Sequence, residues 1–294
     1  MAEQMNLEGF EPSENDLMEM AMRQPLDIKI SKAMKLLQEF EETAIDLSDQ
    51  GYYLAFSGGK DSIVIKQLAK MAGVKFESYY NNVTIDPPEL VRFIKKEHSE
   101  VKWNNPKMHL CKRIVERRDP PTRLNRWCCA EYKEKGGDGK FKVVGIRAAE
   151  SARRKGLWKQ VVKNKRMGMI LCPILYWTDE DVWQFIRDQK MEYCCLYDEG
   201  FKRLGCIGCP LGGPKNQKRE FERWPRYEAL WKKAFKDLWE GYKDEPNRKG
   251  EPRFFAKYKS WQDFWEWWIS GKGQGAETDM CQGSFMFNNK EYNN

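Results

Sequence analysis

The sequence predicts an α/β fold: a parallel, twisted sheet with helices on both faces, followed by an aromatic-rich helical extension. Three observations support this fold class. Strand-like and helix-like segments alternate from residue 52 onward, which implies parallel strands joined by crossover helices. A glycine-rich turn connects the first strand to the helix after it. In the last third of the chain, aromatic residues recur at helical spacing.

The elements of the sheet region follow from hydrophobic periodicity. Apolar residues repeated every three or four positions predict helices, and short apolar runs beside turn residues predict strands. Pro87 and Pro88 are typical of a first helical turn, and Thr178 before acidic residues is typical of a helix N-terminus. In chain order we expect a helix at 30–43, a strand at 52–56, a helix at 63–73, a strand at 74–80, a helix at 87–97, a strand at 141–146 and a helix after 178.

The chain divides into three predicted parts. Residues 1–24 form a polar, Met-rich leader, residues 25–213 form the α/β domain, and residues 214–294 form the helical extension. Two amphipathic helices are predicted in the extension, on either side of a polar loop at 244–252. Their aromatic side chains could pack on the α/β domain or stack on nucleic-acid bases. Packing is the favoured interpretation, because aromatic stripes at helical spacing usually face a core.

Composition limits the class of protein. The 294 residues carry a net charge of +7 and are 41% hydrophobic, which is enough for a packed core. The mean hydropathy of −0.79 predicts no membrane-spanning helix, and the acidic N-terminal stretch does not look like a secretory signal. We therefore expect a cytoplasmic protein. In that reducing environment the nine cysteines are expected to be thiols, metal ligands or redox groups.

A glycine-rich loop between the first strand and the next helix is the strongest single motif. Glycines allow a tight turn that brings backbone N–H groups close to a ligand, and the following helix points its positive end at the same place. Two hydroxyls and a lysine add further donors, so the loop predicts phosphate binding. It lacks the spacing of a Walker A loop, and two glycines alone would indicate only an ordinary turn. This 57–62 loop consists of Ser57, Gly58, Gly59, Lys60, Asp61 and Ser62.

The 57–62 loop resembles the pyrophosphate loop (PP-loop) of the ATP pyrophosphatase superfamily. Later segments narrow the resemblance to the phosphoadenosine phosphosulfate (PAPS) reductase branch, and together they cover about residues 45–215 in order. The leader and the aromatic extension lie outside this match. The resembling segments are Gly145-Ile146-Arg147 with Glu150, Ser151 and Arg153, the block 173–183 and the block 196–210.

The resemblance implies an adenine nucleotide alpha-hydrolase-like fold that binds an adenine nucleotide at the C-terminal ends of its strands. The 57–62 loop is then expected to hold the phosphates. Lys60 and Asp61 would be catalytic residues: Lys60 neutralises phosphate charge, and Asp61 helps to place Mg²⁺ when the nucleotide is ATP. Arg147, Arg153 and Arg154 are expected to face a sulfate or terminal phosphate, because guanidinium groups match such oxyanions.

Two cysteine pairs form a candidate metal-ligand set. Cys128 and Cys129 are adjacent, and Cys206 and Cys209 follow in a Cys-x-x-Cys arrangement. Four thiolates suit either tetrahedral zinc or an iron–sulfur cluster, and the adjacent pair favours a cluster, since structural zinc usually takes two Cys-x₂₋₄-Cys arms. The resemblance adds that bacterial adenosine phosphosulfate (APS) reductases bind a [4Fe–4S] cluster with such a set. Lys133 could place positive charge near it.

The remaining cysteines have less defined expectations. Cys194 and Cys195 could be a redox couple, alternative ligands or small semi-buried residues, and the last interpretation is favoured. Cys111 and Cys172 are expected to be core thiols. The resembled reductases use a C-terminal cysteine as nucleophile and thioredoxin as the usual electron donor. Cys281 lies in a comparable place, but no histidine follows it here.

Reduction of a sulfonucleotide therefore competes with other functions. An intact 57–62 loop is more typical of relatives that cleave ATP between its α- and β-phosphates. The alternative is thus ATP-dependent adenylation or sulfur insertion, with a nucleic acid or a small molecule as acceptor. A second alternative is a non-catalytic, nucleotide-sensing partner protein, which the intact loop disfavours.

Overall fold

A computed structural model describes residues 13–151, 155, 158–164 and 168–273. The strands are β1 (Tyr52–Ala55), β2 (Phe76–Asn81), β3 (Lys102–Asn104), β4 (Lys142–Val143), β5 (Val161–Asn164) and β6 (Gly168–Leu171). The helices are α1 (Glu14–Met22), α2 (Leu26–Glu39), α3 (Glu41–Leu47), α4 (Lys60–Ala72), α5 (Pro88–Glu97), α6 (Leu110–Arg117), α7 (Trp127–Cys129), α8 (Asp179–Asp188), α9 (Pro214–Arg223), α10 (Pro225–Tyr242) and α11 (Trp261–Ser270).

The strands form one sheet in the order β3-β2-β1-β4-β6-β5. All neighbouring pairs are parallel except β5 and β6, so the predicted fold class is confirmed with an antiparallel edge added. Only three residues separate β5 from β6, which is too short for a crossover and forces antiparallel pairing. The sequence does not predict β3, β5 or β6, because none of these strands is longer than four residues.

The strand order places a ligand crevice between β1 and β4. From β1 the chain moves outward to β2 and β3, then returns to the other side of β1 as β4. Ligands of open α/β sheets bind at such a reversal, outside the carboxyl ends of the strands. The 57–62 loop follows β1 at this position, and the Gly145 segment follows β4.

The helical extension packs on the sheet domain. One buried cluster combines sheet residues with aromatic residues of α10 and α11, and α10 also contacts α6. Trp231, Phe235, Phe264 and Trp268 are fully buried, and the rings of Trp231 and Trp268 stack with centroids 4.8 Å apart. The packing interpretation is confirmed, because buried ring faces cannot stack on nucleic-acid bases.

Some predicted boundaries are wrong. The helix expected at 30–43 is two helices, α2 and α3, which meet at Phe40. The strand expected at 141–146 is only β4, since the backbone beyond Val144, whose N–H still donates to the Leu171 carbonyl, leaves the sheet to line the crevice. The boundaries of the expected 1–24 leader stay a prediction; its described part, from residue 13, contains α1, which begins with a capping box formed by Ser13 and Asp16. Among the described helices, none has the length and apolar character needed to cross a bilayer.

His98 makes the stability of the α/β domain sensitive to acid. Its ring packs edge-on against Phe56 and Phe93, and Nδ1 lies 2.8 Å from Lys66 Nζ. Burial and the charge of Lys66 lower the pKa of His98 from 6.5 to about 4. Between these values the unfolded chain binds more protons than the folded protein. The free energy of unfolding should therefore fall by about 2 kcal/mol on this account as the pH drops from 7.5 to 5.

Denaturant unfolding at pH 7.5 and pH 5 checks this expectation. His98→Gln removes the titrating group, so the variant should lose less stability between the two pH values than the wild-type protein does. Equal losses in both proteins would contradict the assignment to His98.

Candidate functional site

The 57–62 loop is built so that its backbone and its helix face the crevice. Gly58 has φ of +72°, and a Cβ there would lie 2.7 Å from side-chain carbons of Leu90 and Ile94, so this position requires glycine. The N–H of Gly59 donates to Ser57 Oγ at 3.3 Å, and Ser62 Oγ donates to the Gly59 carbonyl at 2.8 Å. These bonds fix the turn directly ahead of α4, whose N-terminus suits an anion.

The loop lines a cleft of about 150 Å³ at the carboxyl ends of β1 and β4. Five of its six residues form part of the wall, and Gly58 lies behind them. Gly145 forms the opposite wall, and a Cβ on it would lie 3.0 Å from the backbone of Asp61. The β4 end and the start of α4 thus approach each other as closely as glycine permits.

Two cations and two carboxylates form a compact network beside the cleft. Lys60 Nζ lies 3.2 Å from Asp179 Oδ1 and 3.6 Å from Asp61 Oδ2. Arg147 donates from Nε to Asp61 at 2.6 Å and from Nη2 to Asp179 at 2.9 Å. Lys60 and Arg147 are both nearly buried, at 5% and 3% side-chain exposure. The cations are therefore charge-balanced by carboxylates in the structure, and an arriving phosphate or sulfate would exchange with these carboxylates.

Asp179 is a site residue that sequence reasoning missed. The acidic run after Thr178 predicts a helix N-terminus, which it forms, and it belongs to the resembling block 173–183, but the sequence does not indicate that Asp179 reaches Lys60 and Arg147. Burial acts to raise the pKa of the Asp179 carboxyl, but Lys60 and Arg147 outweigh it and hold the pKa below its usual value. The carboxylate is thus ionised and pairs with both cations. Arg153 and Arg154 lie outside the described residues.

The hydroxyl of Tyr197 is hydrogen-bonded to a backbone N–H group at the N-terminus of α4. This hydroxyl accepts a hydrogen bond of 2.8 Å from the backbone N–H of Lys60, and the Tyr197 ring lies beside the cleft. A phosphate bound at the start of α4 would compete for the same N–H group. Sequence reasoning did not identify this residue, because 137 positions separate the two partners.

Tyr197→Phe is expected to tighten nucleotide binding. The substitution keeps the ring but removes the hydroxyl that competes for the Lys60 N–H, a hydrogen bond of about 0.5–1.5 kcal/mol and so about two- to tenfold in affinity. Isothermal titration with an adenine nucleotide measures the effect. Tyr193→Phe is the matched control, since its hydroxyl bonds to Asp198 on the same segment. Unchanged or weaker binding by Tyr197→Phe would contradict the competition.

The structure brings the two cysteine pairs together around a second cavity of about 420 Å³. Cys128 and Cys129 lie on the short helix α7, and Cys206 and Cys209 lie on the 206–209 turn. Cys111, Cys172 and Cys194 are buried elsewhere, and Cys195 is exposed. Cys281 lies outside the described residues.

Positive charge faces the adjacent cysteine pair. The thiol of Cys128 is hydrogen-bonded to Cys129, and Lys133 and Arg126 lie next to Cys129, which lowers the pKa of the Cys129 thiol. Burial acts to lower the pKa of Lys133, but Cys206, Asp86 and Cys129 outweigh it and raise this pKa. These surroundings favour a thiolate at Cys129. The hydrogen bond to Cys129 and burial instead raise the pKa of Cys128, and burial raises the pKa of Cys206 and Cys209.

The two cavities share a wall. Lys133, Arg203, Leu204 and Gly205 line both of them, so the cysteine cavity adjoins the cleft at the 57–62 loop. The combined volume of the two cavities lies within the range typical of ligand sites, about 300–1,000 Å³. Within the described part of the chain, no three Cys, His, Asp or Glu side chains converge closely enough to hold a single metal ion.

Comparison with known proteins agrees with the predicted resemblance. The family model of the phosphoadenosine phosphosulfate reductase domain matches residues 51–211, which is more than half of the chain. Two uncharacterized proteins of Methanocaldococcus jannaschii are each 27% identical over 244 and 255 residues, covering 71% and 80% of this chain. An adenosine 5'-phosphosulfate reductase of Staphylococcus epidermidis is 38% identical over 68 residues, covering 23% of this chain and 28% of that protein.

The matched lengths differ between the relatives. The chain spans about half the length of the Methanocaldococcus proteins, 48% and 56%. Among solved structures, the phosphoadenylyl-sulfate reductase of Candida auris is 14% identical with a TM-score of 0.45, over 67% of this chain and 97% of that chain. On the strength of the family match, this chain belongs to the phosphoadenosine phosphosulfate reductase domain family.

Proposed function

We propose that the chain binds an adenine nucleotide, PAPS, APS or ATP, at the 57–62 loop and carries out sulfur chemistry beside a [4Fe–4S] cluster. The shared wall between the cleft and the cysteine cavity is the observation that carries this proposal. A nucleotide with its phosphates at the start of α4 would extend toward Lys133 and Arg203. The four thiols line the cavity on the other side of these two residues.

The chain's own residues account for nucleotide binding. The α4 N-terminus faces the cleft. The hydroxyls of Ser57 and Ser62, which donate to Ser62 and to the Gly59 carbonyl in the structure, would have to leave these partners to donate to phosphate oxygens. Lys60 and Arg147 exchange their carboxylate partners for the anionic ligand, which keeps their charges paired at every stage. With ATP as ligand, Asp61 released in this exchange would be available to help place Mg²⁺.

The donor set suits a cluster better than zinc. Four cysteines around one cavity supply the ligands that a [4Fe–4S] cluster takes. The adjacent pair Cys128 and Cys129 favours a cluster, since structural zinc usually takes two Cys-x₂₋₄-Cys arms. When bound, the cluster supplies a charged, redox-capable centre at the end of the nucleotide site.

Lys133 is suited to serve both cavities. It lies on the π-helical turn Ala130–Glu134 that continues from the adjacent cysteines, and it lines the cleft and the cysteine cavity. Its ammonium group can neutralise negative charge on a bound phosphosulfate and on the thiolates at the same time. This supports sulfonucleotide reduction as the first proposal, with Cys281 as the proposed nucleophile and a thioredoxin-like protein as the proposed electron donor.

ATP-dependent chemistry is the second candidate, and the intact loop favours it. All the loop residues expected to contact pyrophosphate are present and line the cleft, apart from Gly58 behind them. In this case ATP would be cleaved between its α- and β-phosphates to adenylate an acceptor, a nucleic acid or a small molecule. A non-catalytic nucleotide sensor is the third candidate.

Incubation of the anaerobically purified protein with labelled nucleotides distinguishes the candidates. Thiol-dependent release of sulfite from PAPS or APS supports reduction, and release of pyrophosphate from ATP supports adenylation. Nucleotide binding without either product supports the sensor. Failure to bind any of the three nucleotides would overturn the proposal, and Lys60→Ala is the negative control.

A further inference from the structure

Side chains of the helical extension form hydrogen bonds to the backbone of the 206–209 turn. We propose that α9 and α10 position the metal centre, with Gln217, Glu220 and Trp231 as positioning residues for Cys206 and Cys209. The inference rests on the proposed cluster. It assigns a role to a part of the chain that lies beyond the family-matched residues 51–211.

Hydrogen bonds occupy every backbone N–H and C=O group of Ile207 and Gly208, the two residues between the cysteines. The N–H of Gly208 donates to Glu220 Oε2 at 2.6 Å, and Gln217 Nε2 donates to the Gly208 carbonyl at 3.0 Å. Trp231 Nε1 donates to the Ile207 carbonyl at 3.1 Å. The remaining group, the N–H of Ile207, donates to the Ile85 carbonyl at 2.9 Å. Three of these four bonds come from the extension.

The 206–209 turn also packs closely against side chains of the extension. Gly208 has φ of +74°, and a Cβ there would lie 2.4 Å from the Phe221 ring and 2.9 Å from Trp231 Nε1. Gln217 and Trp231 are each 1% exposed. The turn thus packs against α9 and α10 so closely that position 208 requires glycine, and this contact restricts the backbone between the two cysteines.

The extension also holds the segment that leads to the other cysteine pair. Trp268 Nε1 donates to the Pro121 carbonyl at 2.7 Å, and Arg118 pairs with Glu245 at 2.6 Å. Residues 118–126 connect α6 to α7, which carries Cys128. The extension therefore contacts the segments that carry both cysteine pairs. Loss of residues that support metal ligands from behind commonly changes metal affinity about 10- to 100-fold.

Iron release to a chelator tests the inference on the full-length, anaerobically purified protein. Glu220→Leu and Gln217→Leu should each release iron at least about tenfold faster than the wild type. Glu220→Gln should stay close to the wild type, because its amide oxygen can still accept from the Gly208 N–H. Glu222→Leu, on the exposed side of the same helix, is the matched control.

A milder variant keeps the test valid if the leucine variants do not fold. Trp231→Phe keeps an aromatic ring at this position but removes the donor to Ile207 and part of the indole that stacks on Trp268. It should release iron faster with an unchanged circular dichroism spectrum. Wild-type release rates in folded Glu220→Leu, Gln217→Leu and Trp231→Phe would overturn the inference while leaving the proposed function intact. A wild-type protein without iron would instead overturn the proposed cluster, and this inference with it.

Discussion

Lys60→Ala is expected to reduce nucleotide-dependent turnover at least about 100-fold while leaving the fold intact. The variant removes the ammonium group at the start of α4 and leaves Asp61 and Asp179 with Arg147 as their remaining cationic partner in the network. Excess negative charge then faces the position where phosphate must bind. Both nucleotide affinity and turnover should fall, and both can be measured on the same preparation.

A lysine further along α4 supplies the control for Lys60→Ala. Lys70 lies near the C-terminal end of this helix, with 53% side-chain exposure and only a surface contact to Glu100. Lys70→Ala should leave turnover unchanged. Wild-type kinetics in Lys60→Ala would remove the 57–62 loop from the site.

Cys206→Ser is expected to bleach the protein and remove most of its iron. The serine oxygen is a poorer ligand than a thiolate for iron in a cluster, and Cys206 contributes one of four sulfurs around the cavity. Iron analysis and the visible absorption spectrum of anaerobically purified protein measure this loss.

Cys195→Ser is the control for the loss of iron, because Cys195 is exposed and does not line the cysteine cavity. Its iron content and spectrum should match those of the wild type. Full iron content in Cys206→Ser would remove that residue from the ligand set.

Features formed by residues close in sequence could be predicted from the sequence. The β1–loop–α4 unit is one example, since an apolar run, two glycines and an amphipathic helix follow each other directly. The grouping of Cys128 and Cys129 with Cys206 and Cys209 spans 76 intervening residues, and its prediction needed the resemblance to a known family as well as the spacing.

Contacts between distant segments could not be predicted in this way. Asp179 reaches Lys60 across more than a hundred residues, and Tyr197 reaches the same lysine from the block before the 206–209 turn. The periodicity that predicts a helix does not specify which neighbour its side chains meet. The same holds for Gln217 and Glu220, whose polar side chains in the extension look like ordinary surface residues in sequence.

An iron-edge anomalous difference map from crystals grown anaerobically with an adenine nucleotide tests the central claim most directly. We expect an iron peak enclosed by Cys128, Cys129, Cys206 and Cys209, with the phosphates of the nucleotide against the 57–62 loop on the other side of Lys133. Phosphates bound away from that loop, or a cysteine cavity without an iron peak, would contradict the account.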